Sequence, residues 1–179
     1  MTTTAAPAGH PAPTAELLFR PEDATHFSLD ESTIKDWSLA EDLLRTSPKA
    51  WLSTVRADGR PHSQPVMITL AGGLPAFTAR PDSVKARNLA RDGRVTLTAS
   101  GPDLDLVLEG RVERAVSAAD LDLVAGSLLE KFDWEFPIRD GRPWQPGPDG
   151  EIEYAFYLVR PVRGYGYGVD GQTATRWVF

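Results

Sequence analysis

The sequence Phe77-Thr-Ala-Arg-Pro-Asp-Ser-Val-Lys-Ala-Arg-Asn-Leu89 joins the end of an apolar strand to a short basic helix through an Arg-Pro-Asp turn. Asp82 is the predicted N-cap of this helix, and Ser83 and Val84 open it. Lys85 then lies in the first turn, where backbone N–H groups lack intrahelical partners and the helix dipole is positive. A cation is unfavourable there unless an anion also binds. The stretch therefore predicts an anion site, with a solvated basic helix as the alternative.

The charge distribution favours a small anionic ligand. The chain of 179 residues has 19 Lys and Arg against 25 Asp and Glu, a net charge of −6. From Arg56 to Arg94, however, seven basic residues stand against three acidic ones, a local excess of four positive charges. Because the acidic remainder would repel a long phosphate backbone, this segment points to a small anion rather than to nucleic acid.

Several classes of site are excluded by residue content. The chain has no cysteine, which rules out disulfides, thiolate nucleophiles and cysteine metal sites. Its three histidines are scattered, with His10 in a predicted tail, His26 in a predicted arm and His62 in a strand. This scatter argues against a metal site or a catalytic triad. No signal-peptide pattern or membrane-length apolar stretch is visible, so we expect a soluble, cytoplasmic protein without a membrane or nucleic-acid partner.

Hydrophobic periodicity predicts a mainly β chain with a few short helices. Residues 1–16 are predicted to be a disordered tail and residues 17–35 an irregular surface arm. Helices are predicted near 37–47, 83–91 and 117–131, and strands near 50–56, 61–70, 74–78, 94–100, 105–116, 152–160 and 174–179. This order fits a closed antiparallel barrel with helices at its ends better than a parallel βαβ sheet.

Glycine positions and one long segment predict a strand bulge, a loop and a close backbone approach. Gly110 is a candidate bulge in its strand. Residues 132–150 are predicted to form a long loop, and loops of this length are usually functional or cover part of a domain. The run from Gly164 to Gly168 has the spacing of a dinucleotide motif, but no helix follows it in a βαβ unit, so we reject that function. Its small residues instead indicate close approach of another backbone or a ligand.

A family resemblance rests on three segments. They are residues 54–66 (Thr-Val-Arg-Ala-Asp-Gly-Arg-Pro-His-Ser-Gln-Pro-Val), the stretch 77–89 quoted above, and the pair 94–97 and 108–110. Together they closely resemble the pyridoxamine 5′-phosphate oxidase-like family of antiparallel split β-barrels. The Lys-x-x-Asn-Leu signature and the Gly-x-Pro-His hairpin are most similar to its actinobacterial branch of FMN- or deazaflavin-dependent reductases. The resemblance implies a split-barrel cofactor-binding domain over residues 36–179, after a tail and arm over 1–35.

In this family the cofactor lies across the second and third barrel strands at a homodimer interface. The resemblance implies that the ring system is lined by His62, Ser63, Gln64, Pro65 and Val66 and flanked by Phe77 and Thr78. It implies a phosphate held by Ser83, Lys85 and either Arg87 or Arg80. Arg176 and Trp177 resemble C-terminal residues that reach the site in relatives. The chain ends without the Arg-Leu-x-Pro tail associated with the pyridoxal substrate, so vitamin B6 oxidation is not expected.

The activity implied is hydride transfer to or from a small organic substrate by coenzyme F420 or FMN, with no catalytic side chain acting as acid or base. Four arginines beyond the need of one phosphate favour the longer, more anionic F420; they are Arg56, Arg60, Arg80 and Arg87. The alternative is a split barrel that binds a cofactor or a tetrapyrrole, such as haem or biliverdin, without catalysis. The substrate stays open.

Overall fold

A computed structural model describes residues 12–18, 31–171 and 173–179. The predictions made for His10, His26 and most of the tail and arm lie outside these residues. Within the predicted tail, Thr14–Leu17 forms strand β1, so the prediction of disorder was wrong for residues 14–16. No helix in the described ranges is long and apolar enough to cross a membrane.

The described residues form three α-helices, one 3-10 turn (Glu31–Thr33) and twelve strands. The helices are α1 (Trp37–Thr46), α2 (Val84–Arg91) and α3 (Ala118–Phe132). The strands after β1 are β2 (Lys49–Val55), β3 (Pro61–Met67), β4 (Thr69–Ala71), β5 (Leu74–Ala79), β6 (Arg94–Ser100), β7 (Leu104–Arg114), β8 (Ile138–Arg139), β9 (Arg142–Gly147), β10 (Gly150–Glu153), β11 (Ala155–Gly168) and β12 (Ala174–Val178).

The nine larger-sheet strands are antiparallel and form a split barrel, which confirms the predicted fold class. Their order is β1-β12-β11-β7-β6-β2-β3, and β5 pairs with both β11 and β4. The two ends of the barrel, β3 and β5, lie against each other without ladder pairs among the described residues. The closed barrel expected from periodicity is therefore open along this one seam.

A β-bulge in β11 sets the shape of the sheet. Pro161 pairs with Gly110 and Arg163 with Glu109, so Val162 is the extra residue. A Cβ atom on Gly110 would lie 2.3 Å from the Arg160 carbonyl oxygen, which explains the glycine. The bulge was predicted at Gly110, but it lies in the opposite strand.

Side chains alternate between the two faces of the sheet, and the core therefore consists of two apolar clusters. Phe77 and Ala79 of β5 face the barrel interior, whereas Leu74 and Ala76 face the second cluster. That second cluster is covered by α3 and by Phe136. The prediction of a loop over residues 132–150 was wrong in part, because β8, β9 and β10 form a separate three-stranded sheet there.

The alternating glycines of β11 make room for Trp177. This indole is fully buried, and a Cβ atom on Gly166 would lie 2.4 Å from its ring. At Gly164 the corresponding distance is 3.1 Å. The glycine run therefore packs against a core tryptophan of the neighbouring strand.

We expect Gly166→Ala to reduce the free energy of unfolding by about 1–3 kcal/mol, because the added methyl overpacks the site of Trp177. Gly126→Ala is the matched control, since a Cβ there meets no atom within 4 Å and the residue is exposed on α3. The control should stabilise by about 0.5–1 kcal/mol. Urea denaturation measures both. Equal effects of the two substitutions would contradict the packing explanation.

Candidate functional site

The N-terminus of α2 is capped by Ser83. Its side-chain oxygen accepts a hydrogen bond from the Ala86 N–H at 3.3 Å, and Lys85 lies in the first turn as predicted. The prediction of Asp82 as N-cap was wrong, because its carboxylate accepts from the Arg80 guanidinium at 2.8 Å instead. The first-turn N–H groups of α2 therefore follow a neutral cap rather than a carboxylate, which suits an anionic ligand.

Three of the six arginines between Arg56 and Arg94 are paired with aspartates. Arg60 pairs with Asp58 at 2.7 Å, Arg80 with Asp82 at 2.8 Å and Arg94 with Asp92 at 2.7 Å. In each case the carboxylate is two residues away along the chain. The guanidinium of Arg87 also turns back and donates to the Asp82 carbonyl. These groups offer less free positive charge than the sequence indicates.

Lys85 differs from these arginines. It is half-buried, and no hydrogen bond or ion pair to its ammonium forms within residues 12–18, 31–171 and 173–179. Burial removes water from the charge and lowers the pKa of Lys85 below its ordinary value. An anion at this position would supply the missing counter-charge and reverse that shift.

His62 lies close to the same helix. Thr54 of β2 stands opposite His62 of β3, with 3.4 Å between the threonine Oγ1 and the histidine Nδ1. The Asn88 amide of α2 donates to the same Thr54 oxygen at 2.9 Å. Burial, and then the positive charges of Arg56 and Lys85, lower the pKa of His62. The structure thus brings the start of β3 and the first turn of α2 to one place.

The other predicted residues of β3 are divided between its two faces. Val66 is buried in the barrel interior and Gln64 is half-buried on the same face as His62. Ser63 and Pro65 point the other way, and the Ser63 hydroxyl lies 2.7 Å from that of Ser53. Because side chains alternate along a strand, only one of these two sets can face α2.

The two predicted residues of β5 also point in opposite directions. Phe77 is fully buried and stacks on Tyr157, with ring centroids 5.2 Å apart. Thr78 has the only buried side-chain polar atom without a hydrogen-bond partner in the described part of the chain, its Oγ1. A buried hydroxyl without a partner requires an explanation, and a bound group is one of those that would supply it.

Arg176 and Trp177 lie on β12, which is separated from β2 by β11, β7 and β6. Arg176 pairs with Glu16 at 2.7 Å, and the Trp177 N–H donates to the Lys35 carbonyl at 3.1 Å. Within one chain the structure does not bring these two residues to α2. The buried indole has no face left for a ligand.

A cavity of about 550 Å³ lies where β2 and β6 stop pairing, beyond Ser53 and Thr96. The bulged Val162 forms part of its wall, and Arg94 and Arg111 also line it. None of the predicted site residues lines this cavity. Thr54 belongs both to its wall and to the contact with His62.

Thr54 and Asn88 were not predicted as site residues. Asn88 stands three residues after Lys85 in the quoted Lys-x-x-Asn-Leu signature, so a signal for it was present. Thr54 gave no such signal, because its importance arises from the pairing of β2 with β3.

Sequence comparison assigns the family. A family model for pyridoxamine 5′-phosphate oxidase matches residues 38–159, about two thirds of the chain. The chain belongs to this family. The match includes β2 to β10, α2 and the start of β11. A comparison with curated protein sequences finds no match.

Solved structures share the fold of this family member. A pyridoxamine 5′-phosphate oxidase-related, FMN-binding protein of Nostoc punctiforme is 18% identical, with a TM-score of 0.55 over 80% of this chain and 90% of that one. An F420 reductase is 24% identical, with a TM-score of 0.50 over 69% and 94%. A haem-binding protein of Mycobacterium smegmatis is 18% identical, with a TM-score of 0.54 over 74% and 52%.

We expect Lys85→Met to raise the pKa of His62, because it removes one of the two positive charges that disfavour the imidazolium. Lys49→Met is the control, since Lys49 is exposed at the far end of β2. NMR titration of the His62 ring measures the pKa in each protein. An unchanged His62 pKa in Lys85→Met would show that the two groups are not electrostatically coupled.

Proposed function

We propose that the chain is an oxidoreductase that binds a flavin-type cofactor through its phosphate, with Lys85 as the principal counter-charge. The observation that carries this proposal is the half-buried ammonium of Lys85 without a carboxylate partner in the described residues. Hydrogen bonds to charged groups are stronger than neutral ones, and the N-terminus of α2 adds oriented N–H groups. The family assignment is consistent with such a ligand.

The residues present fit this group. The Ser83 oxygen accepts from the helix backbone, which leaves its hydroxyl hydrogen for a phosphate oxygen. The face of β3 that holds His62 and Gln64 offers further polar contacts. When bound, the cofactor supplies the hydride chemistry. The chain binds and orients it, and no side chain is required as an acid or a base.

Charge pairing favours FMN as the first cofactor to test. F420 was favoured because the chain has more arginines than one phosphate needs, but Arg60 and Arg80 are paired with aspartates and Arg87 donates to a carbonyl. Of these four arginines, Arg56 and Arg87 have no carboxylate partner in the described ranges, and the Arg87 guanidinium donates to the Asp82 carbonyl. Together, Lys85 and Arg56 match one phosphate group better than a long polyanionic coenzyme. F420 remains the second candidate.

Purified protein titrated with FMN should quench the flavin fluorescence, and its visible spectrum should show which cofactor is present. A flavin, a deazaflavin and a haem have distinct absorption bands. A Soret band would support the alternative of haem binding without catalysis, which the likeness to a haem-binding protein favours. Failure to bind either FMN or F420 would overturn the main proposal.

We expect Lys85→Ala to weaken FMN binding by about 1.5–3 kcal/mol, the contribution of a hydrogen bond to a charged group. Arg80→Ala is the matched control, because that exposed guanidinium already pairs with Asp82 and should contribute less than about 1 kcal/mol. Fluorescence titration gives both affinities. Equal losses in the two variants would place the phosphate elsewhere.

We also propose a homodimer that forms through the outer face of the sheet. Trp51 on this face is 53% exposed, and its neighbours across the ladder are Pro65 and Thr98, followed by Val107. The cavity beside Ser53 and Thr96 opens next to this row. A second copy would cover the exposed indole. The dimer and the cytoplasmic location stay predictions from the sequence.

Trp51→Glu should weaken dimer formation by about 2 kcal/mol or more, because buried tryptophans dominate interface energies. Val116→Glu is the control, since Val116 is 75% exposed and follows β7 away from this row. Sedimentation equilibrium measures the dissociation constant. A monomeric wild type, or equal effects of the two substitutions, would contradict this interface.

A further inference from the structure

Two buried polar side chains connect the basic helix α2 to the sheet. Asn88 is 5% exposed and Thr54 is 2% exposed, and the surrounding core consists of residues such as Leu52 and Leu97. A buried polar group is unfavourable unless it is hydrogen-bonded. The Asn88 amide meets this condition by donating to the Thr54 oxygen at 2.9 Å. This bond ties the helix that carries Lys85 to strand β2.

The hydroxyl hydrogen of Thr54 must then find a different acceptor. Two atoms are within reach, the His62 carbonyl oxygen at 3.3 Å and the His62 Nδ1 at 3.4 Å. The Arg56 N–H donates to the Arg60 carbonyl, and hydrogen-bonded pairs alternate along an antiparallel ladder. The pair Thr54–His62 is therefore hydrogen-bonded through its backbone, which already supplies a donor to that carbonyl. Nδ1 is the acceptor that lacks any other donor.

The surroundings of His62 favour the uncharged ring. Burial, and then the positive charges of Arg56 and Lys85, lower the pKa of His62 below its ordinary value. A neutral imidazole carries one hydrogen, so a ring that accepts at Nδ1 carries it on Nε2. Nε2 has no hydrogen-bond partner among the residues that the structure describes.

We propose that Asn88 and Thr54 are positioning residues that fix His62 as a neutral imidazole with its hydrogen on Nε2, and that this N–H donates to an oxygen of the ligand bound at Lys85. The second half of the statement rests on the proposed function. The first half concerns the chain alone. Asn88 and Lys85 are on the same short helix. In this proposal that helix binds the anion through Lys85 and, through Asn88 and Thr54, fixes the hydrogen of His62 on Nε2.

The direction of the hydrogen bond between Asn88 and Thr54 decides the tautomer of His62. If the Asn88 amide donates, Thr54 is free to donate to Nδ1. If Asn88 instead accepts from Thr54 through its carbonyl oxygen, the hydroxyl has no hydrogen for the ring, and Nδ1 can donate to the Thr54 oxygen. The two arrangements predict opposite tautomers of His62.

Imidazole nitrogen NMR of the full chain tests the first half, with the signals of His62 identified by their loss in His62→Gln. We expect the pattern of an Nε2–H ring in the wild type. Thr54→Val keeps the shape of the side chain but removes the hydroxyl, and should give a mixture of tautomers. Thr54→Ser should restore the wild-type pattern. A wild type with its hydrogen on Nδ1, or an unchanged pattern in Thr54→Val, would overturn the proposal even if another variant fails to fold.

Titration with FMN, and separately with inorganic phosphate, tests the second half. The wild-type Nε2 signal should shift on binding, and Thr54→Val should weaken binding about threefold to tenfold while Thr54→Ser does not. Binding of FMN without any Nε2 shift would overturn the ligand contact alone. Absence of FMN binding in the wild type would overturn the proposed function, whereas the tautomer of the free protein would still test the positioning role.

Discussion

The pairing of β11 with three other strands is the constraint on which the barrel depends. Its first part lies between β5 and β7, and its second part lies between β12 and β7. The bulge at Val162 separates the two parts, and Gly110 permits the close backbone approach that the bulge requires. The pairing of β11 with β5 ends at Leu158, before the bulge, and β5 and β3 share no ladder among the described residues. Strand β3 therefore lies at an edge of the sheet, and its start is close to the helix that follows β5.

That placement explains the electrostatics of the site. The chain passes from β5 through Arg80 and Asp82 into α2, and α2 packs on β2 beside the start of β3. Lys85 reaches a half-buried position where no carboxylate of the described residues accompanies it, while Arg60, Arg80 and Arg94 each pair with an aspartate two residues away. A half-buried cation beside a helix N-terminus gives this region a positive character within an acidic chain.

Strand and helix positions that depend on neighbouring residues were predicted from the sequence. Strand β6 was predicted with its observed bounds, and Lys85 was placed in the first turn of its helix. The cap of that helix was assigned wrongly because Asp82 and Ser83 are both good cap residues, and Arg80 decides between them. The aspartates that pair with Arg60 and Arg94 were visible in the sequence, at a constant spacing of two. The small sheet β8–β10 was missed because β8 has only two residues and β9 contains two prolines and a glycine.

The remaining features depend on contacts between distant segments, and these decide the chemistry of the site. The register that pairs Thr54 with His62 determines which face of β3 meets α2. A shift of one residue would place Ser63 opposite Thr54 in place of His62. Asn88 reaches Thr54 only because α2 packs against β2 at the level of that pair. The hydrogen bond of Asn88 thus connects two elements that are distant in the sequence, the helix that carries Lys85 and the strand that carries His62. A protein that only needed a solvated basic helix would have no reason to bury an amide and a hydroxyl between them, because an apolar pair would fill that space at lower cost.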